Sequence, residues 1–292
     1  MEKNKKNYKE YTGECVKLMI CSKCNNSCKH CYINYSGEFE PDYLYELVQK
    51  LQSKYKVKLN GTEPLMNEEY LKSYKISDEE IILTNGLVFK DNLQLVNKIK
   101  DAGIKRICLS YHFMIQEEIS QVKTEYLNEI IPKIRNMGID VELMCTISKL
   151  NYNKIIDFCD RTFELGANYI YFIEYMNSEN SSLDQDKYLL NDDERKEFFK
   201  LLNEARNKYD KNDLMVTRCG NFNRDSYKLD KNFNCPAYRD LVVMTPDFKV
   251  YPCNLLISKE NEIGYYKDGK IYVVEDYESN CNECLYCKKR YE

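Results

Sequence analysis

The chain has 292 residues, with 43 Lys plus Arg against 47 Asp plus Glu and a formal net charge of −4. Because both charge signs are interspersed and no apolar run approaches ~18 residues, we expect neither a nucleic-acid partner nor a membrane span. The N-terminus has no apolar signal-peptide core, so the expected location is cytoplasmic. Thiols stay reduced there, and the 14 cysteines are therefore expected to bind cofactors rather than to form disulfides.

Short apolar runs alternate with amphipathic helical patterns, which predicts an α/β fold of βα units around a parallel sheet. The predicted elements, in chain order, are strand 16–20, helix 42–55, strands 56–60 and 80–86, helix 92–103, strand 106–110, helix 125–138, strand 140–147, helix 153–166 and strand 168–176. Gly103 and Gly166 are placed to end two of these helices. Active groups of parallel α/β folds collect at the carboxyl ends of the strands.

Three cysteines that follow the first predicted strand form the most specific motif of the chain. Cys24, Cys28 and Cys31 have the spacing C-x3-C-x2-C. Three thiolates hold three irons of a [4Fe–4S] cluster and leave the fourth iron open to another ligand. A zinc site is the alternative, because Cys21 and Cys24 form a C-x2-C pair.

The cysteine motif resembles that of the radical S-adenosylmethionine (SAM) superfamily. The resemblance implies a partial (βα)6 TIM-like barrel over residues 15–176, after an N-terminal tail, 1–14. It also implies that SAM chelates the open iron and is cleaved by one electron to a 5′-deoxyadenosyl radical, which abstracts a substrate hydrogen. That electron is expected to come from a flavodoxin- or ferredoxin-type donor.

The resemblance further implies a segment that binds the SAM ammonium group. Gly61, Thr62 and Glu63 follow strand 56–60, where the superfamily carries a Gly-Gly-Glu segment. Glycine lets the backbone approach a ligand closely, and Glu63 supplies a negative charge for the ammonium group. Thr62 departs from the usual second glycine. A helix-capping turn with a solvated Glu63 is the alternative.

Polar residues after the next two strands are expected near SAM by the same resemblance. Asn85 and Ser110 stand where the superfamily contacts the SAM ribose and methionine carboxylate, although Asn-Gly is also a turn signal. His112 is expected to touch substrate or SAM, with a structural histidine as the alternative.

The C-terminal region has a different pattern. Residues 234–253 predict a β-hairpin with Cys235 and Cys253 at its two ends, and residues 262–275 predict a second strand pair turning at Asp268-Gly269. A run of three further cysteines follows: Cys281, Cys284 and Cys287.

This order of cysteines resembles the twitch domain, a shorter relative of the SPASM extension of radical SAM enzymes. The resemblance implies an auxiliary [4Fe–4S] cluster in residues 216–292, held by Cys235, Cys253, Cys281 and Cys284, with Cys287 as the alternate or spare ligand. Four cysteines also suit tetrahedral zinc, which is the alternative. Residues 177–215 are expected to form a bridging loop and helix. Cys219, at the junction, is a candidate hydrogen donor to a substrate radical, with a core thiol as the alternative.

Enzymes with twitch or SPASM extensions mostly modify peptides. The resemblance therefore predicts a radical SAM enzyme that crosslinks, epimerises or oxidises a ribosomally made peptide. Only about 14 residues precede the first predicted strand, so peptide docking is expected on the barrel itself or through a separate recognition protein. The alternatives are a twitch-type dehydrogenase of a small molecule and a non-catalytic metal-binding or electron-transfer protein.

Overall fold

The computed structural model describes residues 7–176, 178, 180–218, 237–275 and 277. The described chain divides into two compact units. The first holds the described parts of Met1–Lys23, Ile33–Glu79 and Asn234–Glu292, and the second those of Cys24–Tyr32 and Glu80–Phe233.

The described residues form strands and helices with the following bounds. The strands are β1 (Tyr8–Glu10), β2 (Cys15–Met19), β3 (Lys56–Asn60), β4 (Ile81–Thr84), β5 (Arg106–Ser110), β6 (Asp140–Ile147), β7 (Tyr169–Glu174), β8 (Met215–Arg218), β9 (Leu241–Met244), β10 (Lys249–Tyr251), β11 (Gly264–Lys267) and β12 (Lys270–Val274). The helices are α1 (Pro41–Gln52), α2 (Leu71–Ile76), α3 (Leu95–Asp101), α4 (Gln116–Ile119), α5 (Thr124–Asn136), α6 (Ile155–Glu164), α7 (Gln185–Tyr188) and α8 (Asp192–Lys208).

The first unit is built on a mixed sheet with the strand order β1-β12-β11-β10-β9-β2-β3. Its strand β2 has two parallel neighbours, since Val16 pairs with Val57 of β3 and with Val242 of β9. All three valines are fully buried, as expected for strands that are covered on both faces. The other pairings of this sheet are antiparallel: β1 pairs with β12, β10 pairs with β11, and β9–β10 and β11–β12 are hairpins. The turn at Asp268-Gly269 has positive φ at both residues, the geometry of a tight hairpin turn.

The second unit is built on a parallel sheet with the strand order β4-β5-β6-β7-β8. Neighbouring strands are parallel throughout, and the side chains of Ile107, Leu143 and Phe172 are buried in its core. Each successive pair of strands is separated in sequence by at least one helix, so each connection is a βα crossover. This arrangement brings the carboxyl ends of neighbouring strands to one edge of the sheet.

The helices begin and end where the sequence supplies capping groups. In α8 the Asn191 side chain accepts the Glu194 amide at 2.9 Å, while Glu194 Oε2 accepts the Asn191 amide at 2.7 Å. Gly103 and Gly166 follow α3 and α6 with φ of 81° and 75°, so both predicted helix stops are confirmed. No helix in the described part of the chain is both long and apolar enough to cross a membrane.

The predicted α/β fold is confirmed. The bounds of β3, β5 and β6 match the predicted strands, and hairpins β9–β10 and β11–β12 form inside the two predicted C-terminal segments, of which residues 234–236 lie outside the described residues. Strand β8 and the parallel pairing of β9 with β2 are findings that the sequence patterns do not predict. The expected division into tail, barrel, bridge and C-terminal domain stays a prediction, and the two compact units have other boundaries.

Candidate functional site

The three motif cysteines lie on one loop of the second unit, which comprises residues 24–32 and is called the cysteine loop below. Cys24, Cys28 and Cys31 are each partly exposed. The other described cysteines of this unit are buried: Cys108, Cys145 and Cys159. Iron can reach the three loop thiols, whereas burial raises the pKa of the Cys145 and Cys159 thiols and keeps them protonated.

Amide N–H groups contact two of the three loop sulfurs. Asn26 donates its backbone N–H to Cys24 Sγ at 3.4 Å and its side-chain Nδ2–H to Cys28 Sγ at 3.1 Å. Asn85 Nδ2 lies 3.6 Å from Cys24 Sγ. Hydrogen bonds to the sulfurs are a general feature of protein-bound iron–sulfur clusters, so the donor set of this loop fits such a group.

A single metal ion fits the loop less well. Among the described residues, no group of three or more His, Cys, Asp or Glu side chains is arranged to hold one ion. With Zn–S bonds of about 2.3 Å, the sulfurs of a tetrahedral zinc site lie only about 3.8 Å apart. In a [4Fe–4S] cluster each cysteine binds a different iron, so the thiols need not converge in this way.

The segment 113–122 forms one wall of the cysteine loop. Ile119 O accepts the Lys29 amide at 2.9 Å, and Ser120 Oγ accepts Asn26 Nδ2–H at 3.0 Å. The Gln121 amide donates in turn to Asn26 Oδ1 at 3.2 Å. These contacts fix the backbone and the Asn26 side chain of the loop against the end of α4.

A second wall comes from residues 178 and 180–188, called the strap below. Ser182 N and Ser181 Oγ donate to Lys29 O at 2.9 and 3.1 Å, and Ser178 Oγ donates to Cys31 O at 3.2 Å. The strap therefore satisfies backbone carbonyls of the cysteine loop. The sequence predicts a bridging loop and helix over residues 177–215, and the strap, which is part of that range, contacts the cysteine loop.

Two histidine rings pack together, one from the cysteine loop and one that follows β5. His30 and His112 have ring centroids 4.7 Å apart at an interplanar angle of 77°. His112 is 1% exposed, and its Nδ1 accepts the Thr146 amide at 3.2 Å. Burial lowers the pKa of His112 well below its usual value and that of His30 to about 4, so both rings are neutral at neutral pH. A role of His112 toward substrate or SAM stays a prediction.

Asn85 and Ser110 stand at the ends of neighbouring strands, as the sequence predicts. Asn85 follows β4 and donates to Asn25 Oδ1 at 2.8 Å, so its amide faces the cysteine loop. Its Oδ1 accepts the Leu87 amide at 2.9 Å, which is the expected turn contact. Ser110 is the last residue of β5. Their contacts to SAM stay predictions.

The Gly61–Glu63 segment belongs to the first unit and packs on Cys21. A Cβ atom added to Gly61 would lie 2.8 Å from Cys21 Sγ, and the Thr62 amide donates to Cys21 O at 2.9 Å. Cys21 is 2% exposed, and burial raises the pKa of its thiol to about 11. Glu63 is 1% exposed, which does not agree with the solvated side chain of the helix-capping alternative. A role of this segment in SAM binding stays a prediction.

Of the five predicted auxiliary ligands and alternates, one lies in the described part of the chain. Cys253 follows β10 and is partly exposed. The remaining cysteines of this prediction, and the candidate hydrogen donor, lie outside the described residues: Cys219, Cys235, Cys281, Cys284 and Cys287. The auxiliary cluster and its ligand set therefore stay predictions.

Sequence reasoning missed Asn26, the segment 113–122 and the contact between Cys21 and Gly61. Asn26 lies inside the motif, but its spacing to the cysteines does not indicate which way an amide points. Its partners Ser120 and Gln121 are more than 90 residues away in the chain. Only the tertiary structure reveals these contacts.

Comparison with known proteins gives two kinds of likeness, although no family model matches the sequence. Curated relatives include GTP 3′,8-cyclases of Nautilia profundicola (26% identity over 184 residues, 56% of this chain and 57% of the relative) and Aquifex aeolicus (28% over 184 residues, 55% and 56%). The chain thus spans little more than half the length of the curated relatives it matches.

Solved structures extend the likeness in fold over most of the chain. Streptococcus suis SuiB bound to the precursor peptide SuiA has a TM-score of 0.67 at 13% identity and covers 85% of this chain and 61% of its own. The protein anSMEcpe with bound AdoMet also has a TM-score of 0.67, at 16% identity, over 94% and 88% of the two chains. Together these findings show a fold shared with the two solved proteins and a partial sequence likeness to the cyclases. Both agree with the resemblance that the cysteine motif carries.

Proposed function

We propose that this chain binds a [4Fe–4S] cluster through Cys24, Cys28 and Cys31 and cleaves SAM reductively. The observation that carries the proposal is the cysteine loop itself, with three partly exposed thiols and amide donors directed at two of their sulfurs. Bound there, the cluster would supply the electron that cleaves SAM to a 5′-deoxyadenosyl radical, which removes a hydrogen atom from the substrate.

The residues of this chain have distinct parts in the proposal. The cysteine loop would hold three irons of the cluster and leave the fourth for SAM, and the strap supports the loop through its hydrogen bonds to Lys29 O and Cys31 O. Gly61 and Thr62 offer backbone to the SAM ammonium group, and Glu63 offers its carboxylate. Asn85 and Ser110 are assigned to the SAM ribose and methionine carboxylate.

The C-terminal cysteines are proposed to hold an auxiliary [4Fe–4S] cluster with the ligand set given above. Such a cluster can accept the electron left on a substrate radical or position the substrate. Cys219 remains the candidate hydrogen donor, and a flavodoxin- or ferredoxin-type protein the candidate electron donor. The proposed location is cytoplasmic.

A peptide is the proposed substrate class, to be crosslinked, epimerised or oxidised. Its support is the fold shared with SuiB, which was solved with a precursor peptide, over 85% of this chain. A separate recognition protein is part of this proposal.

Nucleotide cyclisation is a second candidate, because the curated relatives are named GTP 3′,8-cyclases. The fold likeness to SuiB covers 85% of this chain, whereas the sequence matches to these two cyclases cover 56% and 55% of it. We therefore place the peptide first.

Anaerobic reconstitution tests the central proposal. The chain and its Cys24→Ala/Cys28→Ala/Cys31→Ala variant are compared for iron, sulfide and 5′-deoxyadenosine formed with dithionite. About eight irons should fall to about four, and deoxyadenosine formation should stop. Cys15→Ala is the matched control and should behave as the wild type. Zinc in place of iron, or no SAM cleavage by the wild type, would return the chain to the non-catalytic metal-binding alternative.

The substrate class is tested with the reconstituted wild type. It is incubated with GTP, or with synthetic peptides encoded by short reading frames next to the gene, and the products are weighed by mass spectrometry. Transfer of deuterium from a labelled peptide to 5′-deoxyadenosine supports the peptide. Conversion of GTP to a cyclised product of equal mass supports the second candidate and rejects the first.

A further inference from the structure

Asn26, which lies between Cys24 and Cys28, hydrogen-bonds to both of these cysteines and to the end of α4. Its Nδ2 group donates to Cys28 Sγ at 3.1 Å and to Ser120 Oγ at 3.0 Å, so both amide hydrogens are used. Its backbone N–H reaches Cys24 Sγ at 3.4 Å. One residue therefore directs N–H dipoles at two of the three proposed cluster ligands.

The contact of the amide oxygen fixes the orientation of the Asn26 side chain. Oδ1 accepts the backbone N–H of Gln121 at 3.2 Å. If the amide were flipped, Nδ2 would face that N–H, and two donors would oppose each other. The Gln121 amide therefore keeps Nδ2, rather than Oδ1, facing Cys28 Sγ.

We propose that Asn26 is a positioning residue that raises the reduction potential of the cluster bound by Cys24, Cys28 and Cys31. The inference rests on the proposed function. Reduction adds an electron to the cluster and makes its sulfur ligands more negative. An N–H donor stabilises the reduced form more than the oxidised form. Without the Asn26 side-chain donor, the same cluster is harder to reduce.

The second amide near the loop makes a weaker contribution. Asn85 Nδ2 lies 3.6 Å from Cys24 Sγ, while it donates to Asn25 Oδ1 at 2.8 Å. Its shorter bond goes to the neighbouring asparagine. Asn26 is thus the residue whose replacement tests the effect.

Two replacements separate the hydrogen bond from the charge of the site. Asn26→Leu removes the side-chain donor without adding charge. Asn26→Asp keeps an oxygen for the Gln121 amide and loses the donor to Cys28 Sγ, but adds one negative charge. Ser27→Asp is the matched control, because Ser27 is exposed in the same loop and adds the same charge without changing the Asn26 amide.

The measurement is a redox titration of the reconstituted full chain, followed by electron paramagnetic resonance. The cluster signal that changes on addition of SAM identifies the proposed SAM-binding cluster. We expect Asn26→Leu to lower the equilibrium constant for its one-electron reduction about tenfold, equivalent to ~59 mV. Asn26→Asp should lower the potential more than Ser27→Asp does, with iron content unchanged.

Each outcome separates this inference from the proposed function. If the wild type gives no SAM-responsive signal, the proposed function fails. If it does, but Asn26→Leu titrates like the wild type, the inference is wrong. If Asn26→Leu does not load iron, Asn26→Ala takes its place, since it is also neutral and lacks the donor to Cys28 Sγ; a wild-type potential in that variant overturns the inference. If all three Asn26 variants lose iron and Ser27→Asp does not, the inference is also wrong, since Asn26 would then serve the assembly of the cluster rather than its reduction potential.

Discussion

At the scale of single residues, the contact between Gly61 and Cys21 gives a direct test of the proposal that residues 61–63 bind SAM. A methyl group at position 61 would lie 2.8 Å from Cys21 Sγ and 3.2 Å from Ile20 Cγ1. Gly61→Ala must therefore displace the Cys21 side chain or the segment that carries Glu63, at a cost of about 1–3 kcal/mol. We expect SAM affinity, measured by calorimetry on the reconstituted protein, to fall about tenfold with iron content unchanged.

A second replacement shows whether the overlap with Cys21 is the cause. Cys21→Ala removes the sulfur atom and should restore part of the SAM affinity to the Gly61→Ala variant. Cys21→Ala alone should keep its full iron content, since Cys21 is assigned to packing rather than to the cluster. Loss of iron from that single variant would instead make Cys21 a metal ligand, the kind of role that the C-x2-C pair indicates for zinc.

The buried ion pair of the second unit is a residue-scale test of the fold. Arg106 Nη1 and Glu142 Oε2 are 2.6 Å apart, with side chains 15% and 4% exposed, and the guanidinium lies 3.3 Å from the Tyr169 ring centroid. Glu142→Ala leaves the Arg106 charge buried without its carboxylate. We expect a loss of roughly 3 kcal/mol in the free energy of unfolding, measured by urea denaturation.

The control for this pair is an exposed one on α6. Arg161 and Glu164 form an i,i+3 pair with both side chains largely exposed. Glu164→Ala should change stability little, because solvent screens such a pair. Similar losses in the two variants would contradict the importance assigned to burial.

At the scale of elements, a carboxylate of α4 binds the strap, next to the apolar cluster that contains Ile119 and Tyr188. Glu118 Oε1 accepts Lys187 Nζ at 2.6 Å and Tyr188 Oη at 2.5 Å. Glu118→Gln weakens both contacts, and hydrogen exchange should speed up at the Ser182 amide, which donates to the cysteine loop. Glu129→Gln, which breaks only the exposed pair with Lys133 on α5, should leave that exchange unchanged.

The same carboxylate makes the strap sensitive to acid. Hydrogen bonds from Lys187 and Tyr188 hold the pKa of Glu118 below its usual value. A lowered folded-state pKa contributes stability above the unfolded value of about 4.3, and this stability is lost as the pH falls through the folded value. Strap exchange in the wild type, corrected for intrinsic rates, should therefore rise as the pH falls below about 4. No rise, or an equal rise in Glu118→Gln, would contradict this role.

The sequence predicts an element well when its contacts are between residues close together in the chain, and poorly when they are far apart. The bounds of β3, β5 and β6 follow from local apolar runs, and the stops at Gly103 and Gly166 from the need for positive φ. The parallel pairing of β9 with β2 joins residues more than 200 positions apart, which no local pattern encodes. Likewise the motif cysteines are visible in the sequence, but the direction of the Asn26 amide is not.

At the scale of the whole molecule, the described cysteines divide into accessible and buried groups in both units. The partly exposed group includes Cys15 and Cys253 besides the motif cysteines, and the buried group is Cys21, Cys108, Cys145 and Cys159. Burial raises the pKa of the thiols of Cys21, Cys145 and Cys159. Because the thiolate is the reactive form, low exposure and a raised pKa both slow the reaction of these three thiols. Burial also raises the pKa of the Cys15 thiol, although Cys15 is partly exposed.

This division predicts the alkylation pattern of the folded protein. Iodoacetamide is added to the reconstituted chain and to the chelator-treated chain, and modified peptides are counted by mass spectrometry. Cys24, Cys28 and Cys31 should react only after chelation, because a bound cluster occupies their sulfurs. The buried cysteines should stay unmodified in both samples and react in urea. Fast modification of Cys145 in the folded protein would contradict the packing, and reaction of the motif cysteines before chelation would contradict their ligand role.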